Sequence, residues 1–392
     1  LLLGAGLFQI ASAQAQEKNF VGFLTSSAEL EAIAAYARDD IAPHAYNVEH
    51  VVEEADKPWP YDRNTSPYGH GTTYETISAN GRTQCQRRNA SNDDRVLMRG
   101  GAMILGRVMA YYFTGETKYA KQARDLITEF TDSSGFRYMG GKADYTGDNL
   151  CILELSWLTP LLIESAILLE HYPGWHLYHR NELQKWLSKE VYPSVAAISR
   201  TRNNNWGNAA SFAAWSIGHY LSAIKNEGDP DRVLQEVYPA GKQLSPSEAK
   251  WQHRNQQLRR VDRGWVGDSK CAPLSDVSDG ERLFGIQEHG GIPDELRRGS
   301  SQLGGCDDTH LADDDKAYDY QQAAVSTLVY HAEAMRRHDG DQLYRLTLDS
   351  GVPALLQAIR FVIRNPNRSG TQWRWFDWQI GTLRVANRTF QD

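Results

Sequence analysis

Hydrophobic residues recur along most of the chain at the spacing of an α-helix. The segment from Asn92 to Phe113 begins with residues that cap helices, carries apolar residues three and four positions apart, and stops before Gly115. Pro160 and Pro193 should kink or divide two of the predicted helices, because proline lacks the backbone N–H that a helix interior needs. Segments with the alternating pattern of a β-strand are scarce. The further helices predicted from the same spacing cover residues 118–130, 149–171, 182–198, 207–224, 231–237, 246–259, 315–337 and 341–363.

Two long segments interrupt the predicted helices. Residues 54–86 are rich in Pro, Gly, Tyr and Thr, and residues 264–314 are rich in Gly, Asp and Ser. Long irregular segments in a compact helical domain are often functional lids or rims. Because no Gly/Ser-rich linker divides the chain, we predict one domain over residues 16–392. Its expected fold is all-α, an (α/α) toroid (incomplete barrel) of stacked helical hairpins with long rim loops, and an irregular all-α bundle is the alternative.

The first fifteen residues have the pattern of a processing signal. Residues 1–15 read LLLGAGLFQIASAQA, an apolar run followed by small residues, and polar residues come directly after it. This pattern is typical of the end of a secretory signal peptide, and an ordinary N-terminal helix is the alternative. We therefore expect an exported protein, either periplasmic or secreted. In such a compartment disulfides can form among the four cysteines, Cys85, Cys151, Cys271 and Cys306.

Composition and charge exclude several classes of partner. The chain has 392 residues, of which 41% are hydrophobic and 23% charged, as in a folded globular protein. Lys and Arg total 42 against 49 Asp and Glu, a net charge of −7, which disfavours a general nucleic-acid binder. After the first dozen residues no uncharged apolar run approaches the ~20 residues of a membrane span. We expect a monomer without a metal or other cofactor, bound neither to nucleic acid nor, after signal removal, to a membrane.

A cluster of amide side chains precedes one of the most apolar predicted helices. Asn204, Asn205 and Trp206 lie in the segment RTRNNNWGN, which runs from Arg200 to Asn208. Helix capping explains one asparagine or two, because an Asn side chain satisfies backbone N–H groups at a helix start. Further amide donors beside an aromatic ring suit a sugar and its carboxylate. The cluster therefore predicts glycan binding.

A second cluster combines a Gly-rich segment with the start of a later helix. Residues 287–299 read QEHGGIPDELRRG, and Tyr320 follows in YDYQQ. With the Asn pair, these residues make the chain similar to the alginate lyase superfamily of polysaccharide lyases. Toroidal members carry Asn-Asn before an apolar helix, then Glu-Leu-x-Arg-Gly, then a Tyr that starts a helix, and the order agrees over roughly residues 90–363. Trp206 departs from the pattern, since many relatives have a His there, and the segment from Arg298 to Tyr320 is longer. The resemblance is closest to a divergent branch acting on alginate or glucuronan.

The resemblance implies β-elimination at a uronic acid in an anionic polysaccharide. Asn205 and Arg298 would then hold the substrate carboxylate, and Tyr320 would carry the proton. A phenol needs a neighbouring cation to lose its proton at neutral pH, and an arginine supplies one. His289 is our candidate for the role of the missing His. A surface or packing His is the alternative.

Other residues are candidates for substrate binding only, and two other functions remain open. An inverting or retaining glycoside hydrolase would need two carboxylic acids across the scissile bond. A non-catalytic protein would bind an acidic glycan without shortening it. The substrate-binding candidates are Asn204, Trp206, Arg297, Gln84, Arg88, His70 and Tyr318. The acids available to a hydrolase are Asp93, Asp94, Glu154 and Asp294.

Overall fold

A computed structural model gives the structure of most of the predicted helical region. It describes residues 48–58, 74–79, 82–87, 96–131, 150–202, 204–223, 233–236, 241–262, 285–296 and 315–364, with residues 386, 389 and 390. The predicted signal peptide lies outside these ranges. The single-domain boundary at residue 16 stays a prediction.

The described residues form helices with two short β-hairpins. The helices are α1 Val48–Asp56, α2 Val96–Thr114, α3 Thr117–Thr131, α4 Leu150–Leu169, α5 Leu177–Trp186, α6 Tyr192–Thr201, α7 Asn205–Ala223, α8 Pro246–Val261, α9 Pro293–Leu296, α10 Asp315–His338, α11 Gln342–Arg345 and α12 Ala354–Arg364. Strands β1 Tyr74–Ala79 and β2 Arg82–Arg87 pair antiparallel, as do β3 Leu234–Glu236 and β4 Lys242–Leu244.

The helices pack as an inner row with outer partners. Along the inner row α2 packs on α4, α4 on α7, α7 on α10 and α10 on α12. Outer helices fold back on inner ones, with α3 against α2 and both α6 and α8 against α7. Each hairpin thus buries an apolar face against the next hairpin. This arrangement is an all-α (α/α) toroid, as predicted.

Helix α4 is the most apolar helix of the inner row. Its segment Ile152–Leu169 is long and apolar enough to cross a membrane, yet 89% of it is buried inside the protein, as in a core helix. No other described helix passes that test of length and composition. Pro160 does not divide α4, which is continuous through it. Pro193 stands in the first turn of α6, directly after the π-helical segment Leu187–Val191, and the backbone stays helical from α5 into α6, so Pro193 does not divide the helix either.

Three sequence predictions of local structure are wrong. Residues 231–237 were predicted to be helical, but Leu234–Glu236 is a strand, with Leu234 and Glu236 buried and the residue between them exposed. Residues 341–363 form two helices, because the turn at Gly351 has a positive φ of 78°. A hairpin, β1–β2, stands within residues 54–86, where irregular structure was expected. Short strands and turns of this kind contain too few residues to produce a periodic hydrophobic pattern in the sequence.

Candidate active site

Asn204 and Asn205 form the start of helix α7. The Asn204 side-chain oxygen Oδ1 accepts the backbone N–H groups of Trp206 at 3.1 Å and Gly207 at 3.4 Å. Asn205 Oδ1 accepts the Trp206 N–H at 2.8 Å. Both side chains are buried, and the Asn204 Nδ2 atom has no hydrogen-bond partner within the described part of the chain. The asparagines therefore cap the helix, as one interpretation of the sequence proposed, and still present amide donors.

A buried arginine holds the end of α6 against this helix start. Arg260 of α8 donates to the Arg202 carbonyl oxygen at 2.9 Å and to Ser211 Oγ at 2.6 Å, and it also bonds the Ser199 carbonyl. Burial lowers its pKa to about 9. Gly207 is required here, because a Cβ would lie 1.9 Å from the Arg202 carbonyl oxygen. The first turn of α7 is thus fixed against α6 and α8.

Trp206 lies at the edge of this junction, half-buried. The guanidinium carbon of Arg202 is 5.6 Å from the centre of the Trp206 ring, a cation–π distance. Trp206 is a sugar-binding candidate predicted from the sequence, whereas Arg202 is identified only by the structure. The pair joins an aromatic plate and a cation beside the Asn cluster, and both groups suit an acidic sugar.

The segment of residues 285–296, which we call the bridging loop, contacts the start of α7. The buried carboxylate of Glu295, in the single turn α9, accepts the backbone N–H of Asn205 through Oε1. Helix starts leave such N–H groups unsatisfied, and the helix dipole favours a negative charge there. One end of the bridging loop is therefore attached to the Asn cluster.

The middle of the bridging loop is attached to the second turn of α10. The buried Gln321 side chain donates from Nε2 to the Gly290 carbonyl at 3.1 Å and accepts the Ile292 N–H through Oε1 at 2.9 Å. Tyr320, the residue before Gln321, is 36% exposed, one of the few large exposed side chains with apolar character in the described residues. The bridging loop thus links the helix that carries Asn205 to the helix that carries Tyr320.

His289 lies on the side of the bridging loop that meets α12. Its ring packs edge-on against Phe361 at 5.3 Å, and its Nδ1 accepts the Gly291 N–H at 3.4 Å. Gly290 has a φ of +99°, and a Cβ there would lie 2.2 Å from the Gln357 carbonyl oxygen, so only glycine allows this close approach. A catalytic role for His289 stays a prediction.

Several predicted site residues fall outside the described structure. Arg297, Arg298, Arg88 and His70 lie outside the described residues. Gln84 lies in β2 opposite Ile77, and Tyr318 lies in the first turns of α10, but only their backbone is described. Of the acids considered for a hydrolase, Glu154 and Asp294 are buried, as Asn204 and Asn205 are, and Asp93 and Asp94 lie outside the described residues.

A second polar cluster lies between α6, α8 and β3. His253 Nδ1 is 2.9 Å from Ser199 Oγ, and His253 Nε2 is 3.7 Å from Glu236 Oε1. The Tyr192 hydroxyl donates to Glu236 at 3.1 Å. This Ser–His–Glu set has the composition of a nucleophilic triad, but each of its side chains is fully buried. No substrate can reach the serine, so the cluster stabilises the fold around Arg260.

Buried histidines predict that the protein loses stability in acid. Burial lowers the pKa of His219 and His331 from 6.5 to about 3, and burial together with nearby arginines lowers the pKa of His253 well below 6.5. Below about pH 6.5 the unfolded chain binds protons that the native protein does not, so stability is full above that pH and falls toward pH 3. The free energy of unfolding should decrease by roughly 1.4 kcal/mol per pH unit for each histidine.

His331 allows a direct measurement of this effect. Its ring stacks on Phe212 at 5.1 Å, and neither ring nitrogen has a hydrogen-bond partner among the described residues. In urea unfolding at several pH values between about 4 and 6, His331→Leu should reduce the pH slope of the unfolding free energy by about 1.4 kcal/mol per unit. An unchanged slope would show that His331 is not held neutral.

Comparison with known proteins agrees with this architecture. The alginate lyase family model matches residues 34–246, more than half of the chain. A search of curated proteins finds no match. Among solved structures, an alginate lyase from Bacteroides ovatus is 16% identical, with a TM-score of 0.56 over 95% of this chain and 92% of that one. Alginate lyase A1-III from Sphingomonas species A1 is 12% identical, with a TM-score of 0.54 over 96% of this chain and 91% of that one.

A third structure is a Tyr→Phe variant of A1-III complexed with a tetrasaccharide. It is 14% identical to this chain, with a TM-score of 0.55 over 93% of this chain and 87% of that one. At such low identity the three structures support the toroidal fold. The family model, the fold and the order of the motifs agree, and we conclude that the chain belongs to the alginate lyase family and is a polysaccharide lyase.

Proposed function

We propose that this lyase cleaves an anionic polyuronate, alginate or glucuronan, by β-elimination. The observation that carries the proposal is the bridging loop, which bonds Asn205 near one end and Gln321, the neighbour of Tyr320, in its middle. The helix that carries the Asn205 amide and the helix that carries the Tyr320 phenol are thus connected by one short segment, as two groups that act on one sugar would require. The similar A1-III structure with a bound tetrasaccharide supports an oligosaccharide ligand for this fold.

The reaction removes the proton α to the uronate carboxylate and then expels the 4-linked oxygen. Negative charge moves onto the carboxylate as the C–H bond breaks, so fixed donors lower the barrier. The Asn205 amide would donate to one carboxylate oxygen, and Arg298 would add a charge-assisted contact. Both groups act before the leaving group departs.

Tyr320 would move the proton in both steps. As phenolate it takes the proton from the ring carbon, and as phenol it returns one to the departing oxygen, so the enzyme is unchanged after each turnover. Its partial exposure gives a substrate access, whereas the next residue, Gln321, is fully buried. Arg298 is the cation proposed to stabilise the phenolate.

Substrate binding beyond the reacting sugar would use residues around this centre. Asn204 and Trp206 lie beside Asn205, with Arg202 against the Trp206 ring. Arg297, Gln84, Arg88, His70 and Tyr318 complete the proposed set of substrate contacts, with His289 as a further candidate for proton transfer or charge neutralisation.

An absorbance screen of the purified protein tests the function. β-Elimination creates a conjugated double bond that absorbs in the ultraviolet, so polymannuronate, polyguluronate and glucuronan can be compared directly. We expect absorbance to rise with at least one of them, and not with the same polymer after its carboxylates are reduced to alcohols. Chain shortening without the new absorbance would indicate a hydrolase, and binding without shortening a glycan-binding protein.

A further inference from the structure

Beyond the residues that would touch the substrate, we propose that Glu295 is a positioning residue, which acts on the reaction through Asn205. Its carboxylate fixes the first backbone N–H of α7 and so sets where the Asn205 amide lies relative to Tyr320. This inference rests on the proposed function for its catalytic consequence, but its structural part stands on the hydrogen bonds alone.

The hydrogen bonds at the start of α7 give Glu295 a separate task. A helix leaves its first N–H groups without partners inside the helix. The N–H groups of Trp206 and Gly207 are satisfied by Asn204 Oδ1, and the Asn208 N–H bonds the Asn204 carbonyl at 2.9 Å. The remaining group, the Asn205 N–H, is the one that Glu295 accepts. Local residues cap the helix, and Glu295 ties it to another part of the fold.

Hydrogen bonds inside the bridging loop fix the positions of its residues relative to one another. Within it the Gln287 N–H bonds the Gly291 carbonyl at 2.9 Å, and the Glu295 N–H bonds the Ile292 carbonyl at 3.0 Å. Gln321 holds the backbone between these two bonds on both sides of Gly291. Glu295 and Gln321 are both fully buried, so water does not compete for these bonds. The distance from Asn205 to the first turns of α10 is therefore set by residues 290–295, which are bonded to α10 at one end and to α7 at the other.

The choice of a glutamate supports a role beyond packing. A buried carboxylate is costly to desolvate, and an apolar residue would fill the same volume at lower cost. Positioning of reacting groups has large kinetic effects, since a displacement of about 1 Å can cost a factor of about 10² in rate. The buried Glu295 carboxylate bonds the backbone of Asn205, a proposed substrate-binding residue, and so can hold that residue in its reactive position.

Two substitutions separate positioning from simple stability. Glu295→Ala removes the acceptor, and Glu295→Gln keeps an oxygen of the same shape. Glu248→Ala is the matched control, because Glu248 caps α8 by bonding the Ser245 N–H at 2.8 Å and is exposed. We expect Glu295→Ala to lower kcat by about 10² with KM changed by less than about threefold, and Glu295→Gln to recover kcat to within about tenfold of wild type. Glu248→Ala should lose stability and keep kcat.

If Glu295→Ala does not fold, a substitution of Gln321 tests the same inference. Gln321→Met keeps the side-chain volume but removes the two hydrogen bonds that hold Gly290 and Ile292 to α10, and it should give the same selective fall in kcat. If the folded variants keep wild-type kcat, or if kcat falls only as far as the folded fraction falls, Glu295 is not a positioning residue.

Hydrogen exchange gives a readout that needs no substrate. Amides at the start of α7 should exchange faster in Glu295→Ala than in wild type, at an intermediate rate in Glu295→Gln, which keeps an acceptor oxygen, and at the wild-type rate in Glu248→Ala. If wild-type protein cleaves no polyuronate, the proposed function fails while the exchange rates still decide whether Glu295 fixes α7. Unchanged exchange in folded Glu295 variants would overturn the inference even for an active lyase.

Discussion

Replacing Tyr320 by phenylalanine should lower turnover of the cleaved polyuronate by about 10²–10⁴-fold, because the substitution removes only the hydroxyl that carries the proton. The side chain is partly exposed and makes no described hydrogen bond that the change would break, so the free energy of unfolding should stay within about 0.5 kcal/mol of wild type. Initial rates from ultraviolet absorbance, with urea unfolding of the same preparations, measure both quantities.

Tyr178→Phe is the matched control for this experiment. Tyr178 is 62% exposed on α5, a helix that packs on α3 rather than on the bridging loop. Its loss of a hydroxyl should leave turnover unchanged. Turnover of Tyr320→Phe within a few-fold of wild type would assign the proton transfer to another residue, and His289 would be the next one to replace.

Replacing Asn205 should have the second largest effect, and two variants distinguish its roles. Asn205→Ala removes both the amide donor and the oxygen that accepts the Trp206 N–H, so turnover should fall by about 10²–10³-fold and stability by about 1 kcal/mol. Asn205→Asp keeps an acceptor oxygen at the helix start, where a negative charge is favourable. It should lose activity, because a carboxylate repels the uronate, and it should also lose some stability, because it places a second buried carboxylate beside Glu295, so turnover is compared per folded molecule. An active Asn205→Asp enzyme would reduce Asn205 to a helix cap.

The long helices were predictable because their buried apolar residues recur along the sequence at the spacing of an α-helix. The predicted segments 207–224, 246–259 and 315–337 agree with α7, α8 and α10 within a few residues. Each of these helices is long enough that single polar residues at buried positions do not hide the helical period. The strand at Leu234–Glu236 escaped because three residues show no periodicity, and the break near Gly351 escaped because a turn leaves little trace in a hydrophobic pattern.

The site was predictable only in part, for a different physical reason. Asn205 and Tyr320 were named from residue types and motif order. The bonds that connect them were not, because Glu295 and Gln321 act on the backbone of residues distant in sequence. Backbone groups are the same at every position, so no residue pattern marks which one a buried side chain will bind. The available signals were the adjacency of Gln321 to Tyr320 and the place of Glu295 at the start of the Glu-Leu-x-Arg-Gly motif.

The most direct test of the central claim is the structure of the products made in water labelled with heavy oxygen. Elimination breaks the C4–O bond without adding water, so mass spectrometry should find oligosaccharides with an unsaturated non-reducing end, lighter by one water than hydrolysis products and with no label beyond the slow exchange of the reducing-end oxygen. Saturated products that carry heavy oxygen at the new end would contradict the account, because they would require a hydrolytic reaction that neither Asn205 nor Tyr320 is proposed to perform.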